Sequence, residues 1–465
     1  MARTGRIAFM AAALIMGVAA SGEAQQRPSD SSERLGVEVG RLLISPGLHL
    51  SLGYDSNVAF RSEQELVRSS PTFYVLPNLR FRTLNPAMVD ASGSFAVGWR
   101  QFFAGDQDVN RFSFLEVGGN GEVVINPHGP VSVGINERIR LSNEGAYTVE
   151  NDDDVFSIPF QEYGMDFSSD GVLVNQVGLN VGVHPGGRNA SRMGFSADVG
   201  AFHRYYHFIE RDSSDRHGVG ATLQLNWNPL PHTTFFIDGS VMRTLYVRDI
   251  SQPLSSEFLN DTIATSRALL NVNSTPVRAG VGVRSLLLPR LGTTLRLGYT
   301  NGFYDEGDSP SRVYALGQLE AQFSSWNRLT AGYSTAFADS AFANYINYHR
   351  VWVTWQAHIS RMQFGVTAFG QINRYAEIDD QVVDAGGNVV EVYSTTNRVD
   401  YPVGVQGDIG VTLGPHVVTG VRYRFMANFT DFQAEPAGGF PDDLFLGGDP
   451  SFVRHRFEIF LSMRL

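Results

Sequence analysis

Residues 219–227 read VGATLQLNW, and this stretch decides the fold. Apolar residues occupy every second position, and glycine or polar residues fill the positions between them. Because successive side chains of a β-strand point to opposite faces, this period of two predicts a strand with one apolar and one polar face. The pattern recurs at residues 131–141, VSVGINERIRL, and at residues 457–465, FEIFLSMRL. Each run has roughly the ten residues that a tilted strand needs to cross a bilayer.

Such runs recur from residue 48 onward and indicate about eighteen strands. Their approximate centres are residues 51, 78, 95, 119, 136, 178, 199, 223, 238, 281, 296, 318, 333, 354, 367, 406, 421 and 459. An open sheet edge in lipid would leave backbone groups unpaired, so the first strand must pair with the last.

The connections between the runs alternate in length. Every second one is tight and rich in turn residues, as at residues 126–130 and 184–187, whereas the others are longer and polar, as at residues 142–171 and 427–451. A Greek-key sandwich has no reason to sort its connections this way. The sequence therefore predicts an all-β transmembrane antiparallel β-barrel of about 18 strands, with short periplasmic turns and long extracellular loops.

The chain divides into three predicted segments. Residues 1–24 have the features of a signal peptide, with basic Arg3 and Arg6, an apolar run and cleavage expected after Ala24 or Ala20. Residues 25–46 are expected to form a short periplasmic segment, and residues 47–465 the barrel. The absence of cysteine excludes a lipoprotein anchor and disulfides. The expected location is the bacterial outer membrane, with partners in lipid, lipopolysaccharide and the barrel assembly machinery.

The polar face of the strands is rich in arginine, although the whole chain has a formal net charge of −11. A basic wall in a confined pore attracts anions. The alternative is that these arginines neutralise acids of the same face, such as Glu116, Asp238 and Glu458, and stiffen the wall. The predicted pore-lining residues are Arg80, Arg82, Arg100, Arg138, Arg140, Arg204, Arg278, Arg284, Arg296, Arg422, Arg424 and Arg456.

Four further features bear on the fold or the function. The acidic loop residues Asp152, Asp153 and Asp154 are candidate Ca²⁺ ligands, with a solvated loop as the alternative. Glu137 falls between Ile135 and Ile139 on the apolar face, which indicates either a bulge or a position near a membrane interface. No nucleophile motif or histidine constellation is present, so we expect neither an enzyme nor a cofactor. The acidic balance argues against nucleic acid as a partner.

The last run is expected to close the barrel and to direct its assembly. Its apolar stripe must lie in lipid and also pair with the first strand. The predicted closing residues are Phe457, Ile459, Leu461, Met463 and Leu465.

The first run ends in GYDSN, residues 53–57. This segment resembles the opening of the β-barrel porin 2 family, and the barrel layout is similar to that of export barrels of myxobacterial Wzx/Wzy polysaccharide pathways. The resemblance implies an outer-membrane conduit that secretes a polysaccharide together with a periplasmic polysaccharide export protein. An arginine-rich lumen would suit an anionic polysaccharide.

Two alternatives to export remain open: an anion-preferring general diffusion porin and a structural or adhesive surface barrel. Inward-facing aromatic residues would favour a sugar conduit, whereas a constriction loop folded into the pore, for which residues 142–171 are the candidate, would favour a porin.

The predicted topology is tested by cysteine labelling, which the cysteine-free sequence makes clean. Cysteines placed at Asp153, Gly386 and Gly438 should react with a membrane-impermeant maleimide on intact cells, because the long loops face outward. A cysteine at Gly129, in a tight turn, should react only after lysis. Labelling of Gly129 on intact cells, with protection of the other three, would show that the assignment is inverted.

Overall fold

The computed structural model describes residues 36–58, 67–105, 107–110, 112–142, 172–185, 194–208, 215–247, 273–305, 309–339, 345–375, 379–383, 389–394, 398–430 and 451–465. The predicted signal peptide, the candidate Ca²⁺ ligands Asp152, Asp153 and Asp154, and the labelling positions in the long loops lie outside these residues. The candidate constriction loop lies outside them as well, apart from Ser142.

The described chain is built almost entirely of antiparallel strands. In chain order they are β1 (Val37–Val39), β2 (Leu42–Asp55), β3 (Ser70–Thr83), β4 (Val89–Phe102), β5 (Phe114–Ile125), β6 (Val131–Ser142), β7 (Val172–Val183), β8 (Gly194–Phe208), β9 (Arg216–Leu230), β10 (Thr233–Tyr246), β11 (Val277–Leu288), β12 (Leu291–Asn301), β13 (Ser311–Ser324), β14 (Asn327–Asp339), β15 (Tyr345–Ile359), β16 (Met362–Tyr375), β17 (Asp379–Val383), β18 (Val389–Ser394), β19 (Val399–Gly414), β20 (Val417–Thr430) and β21 (Phe452–Arg464).

Eighteen of these strands form one closed barrel: β2 to β16 and β19 to β21, each paired with its neighbours in sequence order. The pairing of β2 with β21, from Gly47↔Arg464 to Asp55↔Arg456, closes the ring. Each predicted strand centre lies in a different barrel strand, so the predicted fold class is confirmed.

Four short elements accompany the barrel. Strand β1 pairs with the first residues of β2, β17 pairs with β18, and the helix α1 spans Gln107–Asn110. Across the described ranges, no helix is long and apolar enough to cross a membrane.

The two faces of the wall differ in exposure because the side chains alternate. Apolar residues project outward and are exposed, as for Leu52 at 62% and Leu297 at 56%. The alternate positions project inward, where Arg100 is 1% exposed. The arginine-rich parity of the sequence is therefore the inner face.

Glu137 lies on the outer face of β6. The register is continuous through it, with Gly121 of β5 on one side and Val177 of β7 on the other, so the bulge alternative does not apply. Asn175, on the same outer face of β7, donates a hydrogen bond to Glu137 Oε1 at 3.2 Å. A side-chain hydrogen bond of this kind offsets part of the cost of placing a carboxyl among apolar residues.

Several tight turns at one end of the barrel need a left-handed residue. Asn85 and Asn126, at φ 55° and 56°, occupy two of these positions. Asparagine tolerates this conformation better than other residues with a Cβ, which explains the turn chemistry seen in the sequence.

At the opposite end of the barrel, the GYDSN segment holds β2 to β21. The buried carboxylate of Asp55 accepts hydrogen bonds from Arg454 Nε at 2.9 and 3.0 Å. The backbone N–H of Ser56 donates to the His455 carbonyl at 2.9 Å, and the His455 N–H donates to Ser56 Oγ at 2.8 Å. Asn57 Nδ2 donates to the carbonyl of Val453 at 3.1 Å.

We call the contacts of Asp55, Ser56 and Asn57 with residues 453–455 the seam clasp. Each side of the clasp is a run of consecutive residues. The two sides are far apart in sequence, since Asp55 and Arg454 are separated by 399 positions. The segment that resembles the family opening therefore contributes to closure of the barrel wall.

At the tight-turn end, the same seam is held by backbone and apolar contacts. The N–H of Leu465 donates to the Pro46 carbonyl at 2.9 Å. The predicted closing residues occupy the outer face of β21, where Ile459 and Leu461 pair with Leu52 and Leu50.

The seam clasp should make a measurable contribution to stability. Arg454→Gln leaves the Asp55 carboxylate buried without its cation, and breaking a buried ion pair on one side costs about 3–5 kcal/mol. Asp55→Asn likewise leaves the buried Arg454 guanidinium without this carboxylate. The double variant should lose less than the sum of the two single losses, because it leaves neither charge unpaired. Unfolding free energies come from urea titration of the barrel in detergent, followed by tryptophan fluorescence.

The exposed ion pair of Arg243 and Asp305, 2.6 Å between Nη2 and Oδ2, provides the control. A pair in solvent contributes about 1 kcal/mol or less. The coupling energy of a pair is the difference between the loss of unfolding free energy in its double variant and the sum of the losses in its two single variants. Equal coupling energies for the two pairs would contradict a role of the clasp in holding the seam.

Candidate functional site: the inner wall

The predicted pore-lining arginines all occupy inner-face positions of barrel strands. They are spread over β3, β4, β6, β8, β11, β12, β20 and β21. The alternation of the strands brings them to one continuous surface, although their role in transport stays a prediction.

Part of this basic surface is neutralised beside the seam. Arg100 Nε lies 3.1 Å from Glu116 Oε1, and Arg100 Nη1 lies 3.9 Å from Glu458 Oε1. Glu458 also pairs with Arg456 and, at 3.9 Å, with Arg422. We call Arg100, Glu116, Arg422, Arg456 and Glu458 the seam cluster.

The seam cluster is inaccessible to a passing solute, since Arg100, Arg422, Arg456 and Glu458 are at most 4% exposed. Tyr74 completes it by donating a hydrogen bond to Glu116 Oε2 at 2.7 Å. Buried charges need such partners, so a structural role accounts for these arginines.

Other inner-face arginines have partners on the adjacent strand or, for Arg296 of β12 and Asp238 of β10, on the strand beyond it. Arg296 Nε donates to Asp238 Oδ1 at 2.9 Å, and Arg328 Nη2 to Glu320 Oε2 at 2.9 Å. Gln176 Oε1 accepts from Arg204 Nε at 2.8 Å, which shows that amides also hold guanidinium groups against the wall. Neutralisation by acids therefore explains some, but not all, of the arginine positions.

A second buried carboxylate lies near the long-loop end. Asp400 accepts hydrogen bonds from Arg398 Nη2 at 2.9 Å and from the Tyr375 hydroxyl at 3.0 Å. The Arg398 guanidinium lies 4.1 Å from the centre of the Tyr375 ring. Sequence reasoning missed this group, because Arg398 precedes β19 and falls in no alternating run.

Large aromatic side chains also face inward, and their rings lie on glycines of the adjacent strand. A Cβ at any of these glycines would collide with ring atoms. Register explains the contact, since each ring is directly opposite its glycine. The pairs are Phe202 on Gly220, Phe236 on Gly282, Tyr314 on Gly298, Trp352 on Gly332, Phe369 on Gly404 and Phe460 on Gly420.

An arginine covers each of these rings. The distances from guanidinium carbon to ring centre are 4.9 Å for Arg296 and Tyr314 and 4.8 Å for Arg350 and Phe369, and they reach 6.0 Å for Arg350 and Trp352. The remaining rings are covered by Arg204, Arg284 and Arg422. Such cation–π contacts contribute about 0.5–2 kcal/mol each.

We call these units of glycine, ring and guanidinium the ring stacks. They fix the orientation of long arginine side chains that would otherwise be mobile, and each ring lies between a glycine and a guanidinium group. A sequence signal for them exists, namely an aromatic residue at a polar-parity position with a glycine at the same parity on the next strand.

Inner-face carboxamides form a third class of wall residue. They include Asn78, Asn120, Asn136, Asn180, Gln224, Asn226, Gln318 and Gln363. Unlike the seam cluster, these amides are only partly buried, so they contact the interior space of the barrel.

Among the described residues, no group of three or more histidine, aspartate or glutamate side chains could hold a metal ion. The candidate Ca²⁺ ligands in the acidic loop are outside that search, so the proposal of a calcium site there stays untested.

Comparisons with known proteins identify no family. A scan against family models and a search of curated proteins both find no match. The family suggested by the GYDSN segment is therefore not confirmed.

Solved structures with similar topology are outer-membrane proteins. OpdK from Pseudomonas aeruginosa with vanillate is 11% identical, with 91% of this chain and 99% of that chain covered and a TM-score of 0.45. OccAB4 from Acinetobacter baumannii is 8% identical, with coverages of 94% and 100% and a TM-score of 0.43. The FrpB iron transporter from Neisseria meningitidis is 9% identical, with coverages of 90% and 81% and a TM-score of 0.43. Similarities this low carry no information about what this chain transports.

Proposed function

We propose that this barrel lies in a bacterial outer membrane and secretes an anionic polysaccharide, working with a periplasmic polysaccharide export protein. The observation that carries the proposal is the inner wall, which combines partly buried amides and arginines on one surface. Amides suit the hydroxyl groups of a sugar chain, and arginines suit its anionic groups.

The membrane location is supported by the outer face. Exposed leucine, valine and aromatic side chains surround the barrel, as the 56% exposure of Val281 illustrates. A water-soluble protein seldom exposes so large a continuous apolar surface, whereas a lipid-embedded barrel requires one.

The sugar component is supported by the carboxamides. The hydroxyl groups of a carbohydrate both donate and accept hydrogen bonds. A carboxamide offers two donors and an acceptor with two lone pairs, which matches such hydroxyls.

The anionic component is supported by the excess of charge on the inner faces, where arginines outnumber carboxylates along the described barrel strands. Guanidinium groups bind carboxylate and phosphate oxygens through parallel N–H donors. The same excess would also suit an anion-preferring diffusion porin, which is the second candidate.

The test removes basic charge without disturbing the seam cluster. The fourfold variant Arg80→Gln, Arg82→Gln, Arg138→Gln and Arg140→Gln changes two inner-wall regions, on β3 and β6. We expect it to lower surface polysaccharide in cells at equal barrel abundance. In planar bilayers it should shift the reversal potential away from anion selectivity, most clearly at low salt, because the screening length is about 8 Å at physiological ionic strength and shorter at higher salt.

The control variant combines Arg328→Gln with Glu320→Gln, which removes a paired arginine and its carboxylate together and leaves the net charge of the wall unchanged. It should change neither measurement appreciably. Export is excluded and the porin favoured if the fourfold variant alters ion selectivity but leaves surface polysaccharide normal, and if a strain that lacks the barrel also has normal surface polysaccharide. Unaltered selectivity in the fourfold variant would show that the basic wall does not act on passing ions.

A further inference from the structure

Four carboxamides on the inner faces of β6, β7 and β9 form a group that the charged wall does not account for. They are Asn136, Asn180, Gln224 and Asn226, and we call them the amide belt. They lie on neighbouring strands, where Asn136 is opposite Gly178, Asn180 is opposite Gly200, and Asn226 is opposite Ser196. Two carboxylates border the belt, with Glu122 of β5 opposite Asn136 and Asp198 of β8 opposite Gln224.

Two members of the belt are held against the wall by glycines. The Asn136 side chain occupies the space above Gly178 where a Cβ would project, and Asn180 does the same above Gly200. These carboxamides therefore lie along the sheet surface. A side chain fixed in this way loses less conformational entropy when it binds a ligand.

The other two members are joined by hydrogen bonds. Gln224 Nε2 donates to Asn226 Oδ1 at 2.8 Å, and Asn226 Nδ2 donates to Ser196 Oγ at 3.2 Å. These two hydrogen bonds order both carboxamides. Each carboxamide still has hydrogen-bonding capacity, because it has two N–H donors and two acceptor lone pairs.

The belt differs from the seam cluster in charge and in accessibility. Its four members are uncharged and half-buried, whereas the seam cluster is charged and almost fully buried. A solute in the lumen can reach the belt, and the solute that suits it carries neutral groups that both donate and accept.

We propose that the amide belt is a carbohydrate-binding site of the lumen, which takes the hydroxyl groups of a sugar chain independently of its charge. This inference rests on the proposed function. It adds to that function a set of uncharged contacts with sugar on β6, β7 and β9. Vicinal hydroxyls of a pyranose ring bind a carboxamide through one donor and one acceptor.

The experiment uses the purified full-length barrel in a planar bilayer, with the neutral hexasaccharide maltohexaose as the probe. Transient interruptions of the ion current report occupancy of the lumen by sugar. The belt variant is Asn136→Ala, Asn180→Ala, Gln224→Ala and Asn226→Ala. We expect the mean blockade time to fall about tenfold or more, since each net hydrogen bond lost changes a binding equilibrium several-fold.

A matched control removes four amides from the opposite part of the inner wall. The control variant is Gln318→Ala, Gln322→Ala, Gln356→Ala and Gln363→Ala, on β13, β15 and β16. It should retain the native blockade time. Both variants must migrate as heat-modifiable barrels and conduct ions as the native barrel does.

Three results would overturn the inference: no sugar blockades with the native barrel, an unchanged blockade time in the belt variant, or an equal fall in both variants. None of them depends on secretion in cells, so the inference fails independently of the proposed function. Conversely, cells that lack the barrel could have normal surface polysaccharide while the sugar blockades still depend on the belt. That result would contradict export and identify the barrel as a sugar-binding porin.

Discussion

Every other feature of this structure depends on the pairing of β2 with β21. A sheet in lipid must satisfy all of its backbone groups internally, and only closure removes the two open edges. The wall closes through ladder pairing from Gly47 to Asp55, and the seam clasp adds side-chain contacts at the long-loop end. Closure also fixes which parity faces inward, because a one-residue slip would turn every side chain of β21 to the opposite face.

Once the register is fixed, the outer and inner faces of the wall differ in composition. The outer face is mainly apolar, although the hydrogen-bonded Glu137 and the exposed His349 and His455 also lie on it. The inner face has three kinds of surface: buried ion pairs beside the seam, rings covered by guanidinium groups, and partly buried amides. Glycine makes the second kind possible, since Phe236 and Trp352 could not lie flat on a neighbouring strand that carried a Cβ opposite them. The high glycine content of the chain thus has a structural cause in the lumen as well as in turns.

The sequence predicts the strands well because each carries its own period-two signal, and the parity of Arg100 or Arg296 follows directly from that signal. Pairing partners are different, since they depend on register between strands. The Arg296 contact with Asp238 and the Arg454 contact with Asp55 join residues 58 and 399 positions apart. For the same reason, the sequence does not predict the ring stacks, although inward-facing aromatic residues are an expected feature of a sugar conduit. Arg398 was missed because it lies outside any alternating run.

The most direct test of this account is the register of closure. Leu50 and Leu461 are opposite each other across the seam on the outer face. Paired residues in antiparallel strands have Cα atoms about 4.5–5.5 Å apart, within the range of a disulfide. Leu50→Cys with Leu461→Cys should form an intramolecular disulfide in the assembled barrel, detected by mass spectrometry. Leu50→Cys with Phe457→Cys, four residues out of register, should not. Cross-linking of the second pair but not the first, or only of separate molecules, would contradict the closed 18-stranded barrel.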